Sequence, residues 1–198
     1  MHSNFSFDDK NGYNALSTGG KGGPEHLNNL ARGCLVGLLD HHNGLAGLIA
    51  STANSYDRLQ LRSRSSHWQN WGGDHRNVTT RISSEGGAKE RLEHRMADAS
   101  SNPYTAFAAV LQAAVLGVEN GCDLQPIETG DEFLETDATI GATTDLKSAV
   151  AGLAADNVLA NAVSIGLVEN HVFMTEDEVE KTVNLDPEAL MDFYIYYM

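Results

Sequence analysis

From Met1 to Phe7 polar and apolar residues alternate, with Phe5 and Phe7 on one side and His2, Asn4 and Ser6 on the other. A period of two belongs to a half-buried strand, so the chain is expected to open on a strand with one polar face. Asp8 to Gly23 is rich in turn residues, and Pro24-Glu25 then predicts a helix with proline at its first position. Leu27, Leu30, Cys34 and Leu38 recur at helical spacing, and the apolar pattern continues as a second helical piece through Ile49. Adjacent residues diverge by about 100° around a helix, so His41 and His42 are expected on its surface and not as a metal-binding pair. Strand-like stretches follow at His67 to Gly72, Asn77 to Ser83 and Glu90 to Ala97.

Asn102 followed by Pro103 reads as a cap and a helix-starting proline. Tyr104, Phe107, Leu111, Ala114, Val115 and Val118 mark the expected apolar face of that helix, and Asn120-Gly121 its end. After an acidic loop from Asp123 to Gly141, Thr144 to Asp156 and Asn157 to Gly166 read as Ala-rich helices. Thr175-Glu176-Asp177-Glu178 has the capping-box form and predicts the start of another. The last third reads as a helical layer with a solvated face. No internal repeat or domain linker interrupts the chain. The expected class is α+β: a few strands in the first half, with helices packed around and after them.

The chain has 198 residues, 41% apolar and 20% charged, which is the mixture of a soluble globular domain. The most apolar stretch, Gly33 to Ala50, is broken by Asp40-His41-His42-Asn43, so no membrane span is expected. The first ten residues lack a basic leader followed by an apolar segment, so the sequons at Asn4 and Asn77 carry no weight. Two cysteines, Cys34 and Cys122, make no disulfide framework; Cys34 is expected as a buried thiol, and a reducing cytoplasm as the location. The net charge of −14 argues against a nucleic-acid partner, yet the charge is unevenly spread. Residues 58 to 95 hold 4 acids and 8 bases, whereas 96 to 198 hold 18 acids and 2 bases. Seven of the eight arginines, at 58, 62, 64, 76, 81, 91 and 95, lie in the middle window, and their planar forks suit carboxylate and phosphate.

Within that window Arg91-Leu92-Glu93-His94-Arg95 alternates, which puts Arg91, Glu93 and Arg95 on one face of a strand. Such a face is either a solvated edge or the wall of a site that binds something charged. If the middle strands are neighbours, Arg81 and His2 join that face, with Arg58 and Arg76 arriving from loops at the strand ends. Burying unpaired charge is costly, so the face persists only wet, paired or occupied by ligand. Glu93 and His2 are a fair but incomplete pair of ligands for a divalent cation.

Five ordered motifs carry a resemblance. Met1-His2 with Asn4-Phe5-Ser6, Asn54-Ser55-Tyr56-Asp57-Arg58, Asp74-His75-Arg76-Asn77 leading to Arg81-Ile82, Arg91 to Arg95, and Asp98 with Ala99 to Ala109 resemble, in order and spacing, the C-terminal half of the glutamine synthetase family. The resemblance implies that residues 1–198 are the C-terminal portion of that family's catalytic domain, with an antiparallel-rich sheet forming part of its barrel. It implies that the small β-grasp domain and the first part of the catalytic domain, with most of the metal-binding glutamates, are absent. The implied reaction makes γ-glutamyl phosphate from glutamate and ATP, then lets ammonia or an amine displace phosphate. By position, His2 and Glu93 resemble ligands of Mg2+ or Mn2+, and Arg58 and Arg95 the clamps on glutamate. Arg76 and Arg81 resemble the stabilisers of the phosphoryl group in flight, and Arg91, Arg81 and Asn4 the nucleotide contacts. A ring-shaped homo-oligomer is implied for a full-length protein.

Three departures qualify this expectation. The family's flap usually carries prolines and, in ammonia-using members, a glutamate; here Leu59 to Ser66 has neither, and Arg64 stands where the glutamate would be. A cation there repels ammonium, which favours an amine, as in the γ-glutamyl-polyamine branch that Asn70-Trp71-Gly72-Gly73-Asp74 resembles. Asn4 replaces the family's next histidine. With Glu93 as the one carboxylate in a credible place, the chain is expected to be a fragment, inactive alone. The alternative expectation is a noncatalytic anion-binding or oligomer-forming remnant of the family, and a third is an acidic domain whose arginines pair with its own carboxylates.

Overall fold

Four short strands form one sheet whose two faces are sorted by the alternation of their side chains. The computed structural model describes residues 2–16, 26–59, 68–73, 76–83, 90–121, 123–127, 141 and 143–197. Strands β1 (Ser3–Phe5), β2 (Trp71–Gly72), β3 (Thr80–Ser83) and β4 (Arg91–His94) lie in the order β1-β4-β3-β2. β4 is antiparallel to both β1 and β3, and β2 is parallel to β3. Phe5, Leu92 and Ile82 face one another across β1, β4 and β3 and enter the core. One residue along, on the other face, Asn4, Glu93 and Arg81 form a second rung. The Arg95 N–H donates to Thr79 O at 2.9 Å, so the ladder continues past the end of β4.

Helices cover the apolar face and build the rest of the chain: α1 (Asn29–Asp40), α2 (His42–Ile49), α3 (Ala53–Arg58), α4 (Pro103–Asn120), α5 (Leu146–Ala155), α6 (Asn157–Val163), α7 (Ile165–Thr182) and α8 (Pro187–Tyr197). Pro24 lies outside the described residues; α1 begins at Asn29, because the Asn28 side chain accepts the Ala31 N–H at 3.0 Å and caps the first turn. Cys34 is free and buried, and burial pushes its thiol up to about 11. Among the described residues no single helix is long and apolar enough to cross a membrane.

The face of α4 differs from its sequence pattern. Ala106, Ala109, Val110, Ala113, Ala114 and Gly117 are buried, while Tyr104 is 86% and Phe107 40% exposed, and Leu111, Val115 and Val118 are exposed beside them. The reason is a close crossing: Gly33 and Gly37 of α1 meet Ala113, Gly117 and Val118 of α4 at backbone contact. Only a stripe of small residues permits that approach, so the large apolar side chains are turned outward.

Three other expectations are corrected. His42 is 1% exposed, not on a surface, and His41 donates from Nδ1 to Asp156 Oδ2 at 2.7 Å. Asp156 thereby joins the α1–α2 junction to the start of α6, where its other oxygen accepts the Leu159 N–H at 3.0 Å. Burial pushes the Asp156 carboxyl up, but these hydrogen bonds outweigh it and hold it below the usual carboxylate value. Thr175 does not open a helix; it lies inside α7, where its hydroxyl donates to His171 O at 2.8 Å. Helix α3 was not expected at all, although Thr52 and Ser55 form a capping box at its start.

Two stability effects follow from this packing. Replacing Asp156 with Ala removes a cap and an ion pair together and should lower unfolding free energy by about 1–2 kcal/mol in urea denaturation at pH 7. Because the Asp156 carboxyl is depressed in the fold, that contribution is present above its unfolded value near 4 and shrinks as pH falls below it. Conversely, a Cβ on Gly166 meets nothing within 4 Å. Gly166→Ala should therefore raise the urea midpoint, by up to about 1 kcal/mol in free energy.

Candidate functional site

The polar rung of the sheet places Glu93 at the centre of the charged face. Its carboxylate is only 4% exposed, yet three groups converge on it. His2 Nδ1 lies 2.7 Å from Oε1, Arg81 Nε 2.6 Å from Oε2, and an Arg95 guanidinium nitrogen 3.0 Å from Oε1. The register explains the meeting: Arg81 stands directly across β3 from Glu93, Arg95 is two residues along the same face, and His2 precedes β1 on the opposite flank. Burial alone would push the Glu93 carboxyl up. The hydrogen bond from His2 and the charges of Arg81 and Arg95 outweigh it and hold the carboxyl down at about 2.

The surrounding arginines are placed by different devices. Arg58 comes from the C-terminal turn of α3, not from a loop, and donates to Met96 O just beyond β4. Burial lowers its affinity for a proton, and the nearby Asp98 carboxylate works against that. Asp98 is itself fixed, with Oδ1 accepting the Ser100 N–H at 2.9 Å. The Asn102 side chain accepts the Tyr104 N–H at 3.0 Å, so the residues after Arg95 run directly into α4. Arg76 is exposed before β3 and acts electrostatically on Arg95. Burial and the Arg81 and Arg76 charges lower Arg95, while Glu93 raises it. Arg76, Arg81 and Arg95 therefore act on one another and on the buried Glu93 carboxylate across one face.

The structure brings together His2, Asn4, Arg81, Glu93 and Arg95, with Arg76 close enough to act on Arg95 and Arg58 bonded to Met96 O, the carbonyl of the residue after Arg95. Arg91 shares their face but stands across from Ser83, two residues from Glu93 along β4. Arg62, Arg64, Asp74 and His75 lie outside the described residues. As metal donors, His2 Nδ1 and Glu93 Oε1 are 2.7 Å apart, close to the roughly 3 Å between adjacent ligands on an ion with bonds near 2.1 Å. Among the described residues no group of three His, Cys, Asp or Glu side chains gathers around one point, so these two could supply at most one edge of a coordination shell.

Two buried groups near the site were not anticipated. His94, on the core face behind Glu93, is fully buried, and burial together with His42 and His2 pushes it down to about 3. Its position inside a five-residue charged run gave no sign that it faces inward, beyond the alternation itself. The second is the Tyr194–Glu178 pair. Tyr194 accepts the Ala53 N–H at 2.7 Å and donates to Glu178 Oε1 at 2.5 Å, so α7 and α8 hold the first turn of α3, the helix that carries Arg58. Burial pushes the Glu178 carboxyl up.

Residues 1–191 match the family model of the glutamine synthetase catalytic domain. A glutamine synthetase from Pyrococcus furiosus is 36% identical over 101 residues, covering 51% of this chain and 23% of the relative. One from Clostridium saccharobutylicum is 32% identical over 183 residues, covering 91% of this chain and 37% of the relative. Among solved structures, a GmaS complex with ADP superposes with a TM-score of 0.79 at 27% identity, over 94% of this chain and 44% of that one. The chain spans less than half the length of each of these proteins.

Proposed function

The chain belongs to the glutamine synthetase family, within its catalytic domain, and from that premise we propose that it forms the arginine wall of an ATP-dependent ligase joining glutamate to an amine or ammonia. One observation carries the reading: Glu93 is held by His2, Arg81 and Arg95 on a single sheet face, with the Arg76 charge acting on Arg95. On this reading Arg58 and Arg95 grip the carboxylates of glutamate, because a guanidinium presents paired donors in a plane. The γ-carboxylate oxygen attacks the terminal phosphorus of ATP and ADP leaves. Arg76 and Arg81 neutralise the charge that spreads over the transferred phosphoryl oxygens. Arg91 and Asn4 contact the nucleotide, a class of ligand in keeping with the ADP complex of the structural neighbour. The amine nitrogen then displaces phosphate from γ-glutamyl phosphate, giving the amide, inorganic phosphate and a proton.

His2 and Glu93 fit one edge of a divalent ion's shell, and Mg2+ or Mn2+ held there supplies charge neutralisation at the phosphate oxygens. Between nitrogen donors, an amine is favoured over ammonium by Arg64, a cation where ammonia-using relatives carry a glutamate. The second reading is a noncatalytic anion-binding or oligomer-forming remnant, favoured by the absence of a third metal donor beside His2 and Glu93 among the described residues.

The test is release of ADP from Mg-ATP with glutamate and a panel of amines and ammonium, by this chain and by a form as long as its relatives. Arg95→Ala should lower glutamate-dependent release by roughly 100-fold or more, the scale of losing a fixed charge at a reacting centre. Turnover that survives this change would remove Arg95 from the glutamate site. Phosphate binding without turnover in either form would favour the remnant.

A further inference from the structure

We propose that the core face of the sheet holds at least one internal water, bound by the rung of Ser3, His94 and Thr80. These residues stand directly across from one another on β1, β4 and β3, one residue along from Asn4, Glu93 and Arg81 and therefore on the opposite face. All three are 0% exposed. Ser3 Oγ, Thr80 Oγ1 and both ring nitrogens of His94 have no hydrogen-bond partner among the described residues.

Four buried polar atoms on three adjacent strands form a coherent set. An isolated buried hydroxyl is a local loss, but folded proteins satisfy nearly all such groups, and a buried water typically takes two to four polar partners. The spacing suits it. Directly opposed side chains have Cβ atoms about 4.5–5.5 Å apart. Two partners of a single water stand about 4.5 Å apart, the span of two hydrogen bonds of about 2.8 Å at its near-tetrahedral angle. His94 is the middle member, with Ser3 and Thr80 on either side, so one water can bridge the ring to one or both hydroxyls. The walls are apolar: Trp71 opposes Thr80 on β2, and the next rung is Phe5, Leu92 and Ile82. His42 is buried close enough to act on the His94 charge. The hydration site thus ties three strands together immediately behind the ion-paired rung. It does not depend on the proposed ligase activity.

The probe is water itself. Oxygen-17 magnetic relaxation dispersion of the chain counts waters held longer than molecular tumbling, and Thr80→Val, alone and with Ser3→Ala, should remove the signal of one or more. Thr80→Ser, which keeps the hydroxyl, should preserve that signal and restore most of the urea midpoint lost in Thr80→Val. A rise in the midpoint on Thr80→Val would mean a hydroxyl buried dry. A fall with unchanged dispersion would mean a bond to a protein atom. Either result overturns the proposal. If Thr80→Val does not fold, Ser3→Ala decides by the same dispersion readout.

Discussion

Gly117→Leu should abolish cooperative folding of the chain, and Gly117→Ala should lower its unfolding free energy by about 3 kcal/mol or more, the upper end of the cost of overpacking. A Cβ at this position stands 2.2 Å from both Gly33 O and Gly37 N. A Cβ on Gly37 stands 1.9 Å from Ala113 O. These obstacles are backbone, so no rotamer change relieves them, and α1 and α4 must separate. Separation exposes the buried stripe of Ala106, Ala109, Val110 and Ala113 that holds the two helices together. Thermal and urea unfolding followed by circular dichroism read the effect directly, with Gly166→Ala as the control in which added bulk meets open space. A Gly117→Ala variant as stable as the wild type would show that the helices do not cross at backbone contact.

Glu93→Ala carries the second large effect. Removing the carboxylate takes from Arg81 and the 6% exposed Arg95 an anion that both are paired with, and breaking a buried ion pair from one side costs about 3–5 kcal/mol. Arg81 is partly exposed to water, which places the expectation near the lower figure. The pH dependence gives an independent signature. Glu93 titrates near 2 in the fold and near 4.3 in an unfolded chain, so its contribution is complete above about pH 4.3. It declines as pH falls from there to about 2. Urea midpoints measured from pH 5 to pH 2.5 should therefore fall more steeply for the wild type than for Glu93→Ala. Parallel curves would mean that Glu93 is not held by the cations around it.

The charged face was legible because strand periodicity is a local property. The alternation in Arg91 to Arg95 fixed which side chains share a face, and the arginine-rich window marked that face as unusual. The 3.0 Å contact of Arg95 with Glu93 is part of that local pattern, whereas the register that brings Arg81 within 2.6 Å and His2 within 2.7 Å of Glu93 is set between separate strands. The helical end of α4 at Asn120-Gly121 was equally local, and Gly121 closes it at φ +54°. The orientation of α4 was not local. Its large apolar residues marked a credible face, but Gly33 and Gly37, four residues apart in α1, select small residues on the partner helix. That small-residue spacing in both helices was the available signal. The same holds for His42 and His94: helical or strand position gave their direction, while their burial depended on neighbours supplied from elsewhere. Thr175 failed for another reason, since a capping-box pattern in the middle of a helix is simply a threonine bonded back to its own turn.

On the proposed function, the guanidinium groups of Arg58, Arg81 and Arg95 bind anionic ligands at one place. The direct measurement follows their Nε–H resonances by NMR while Mg-ADP and glutamate are added to the chain. Saturable shifts of all three, with Arg32 on α1 unmoved, are the predicted result. Resonances that stay fixed at saturating ligand, or that move no more than Arg32, would contradict the account.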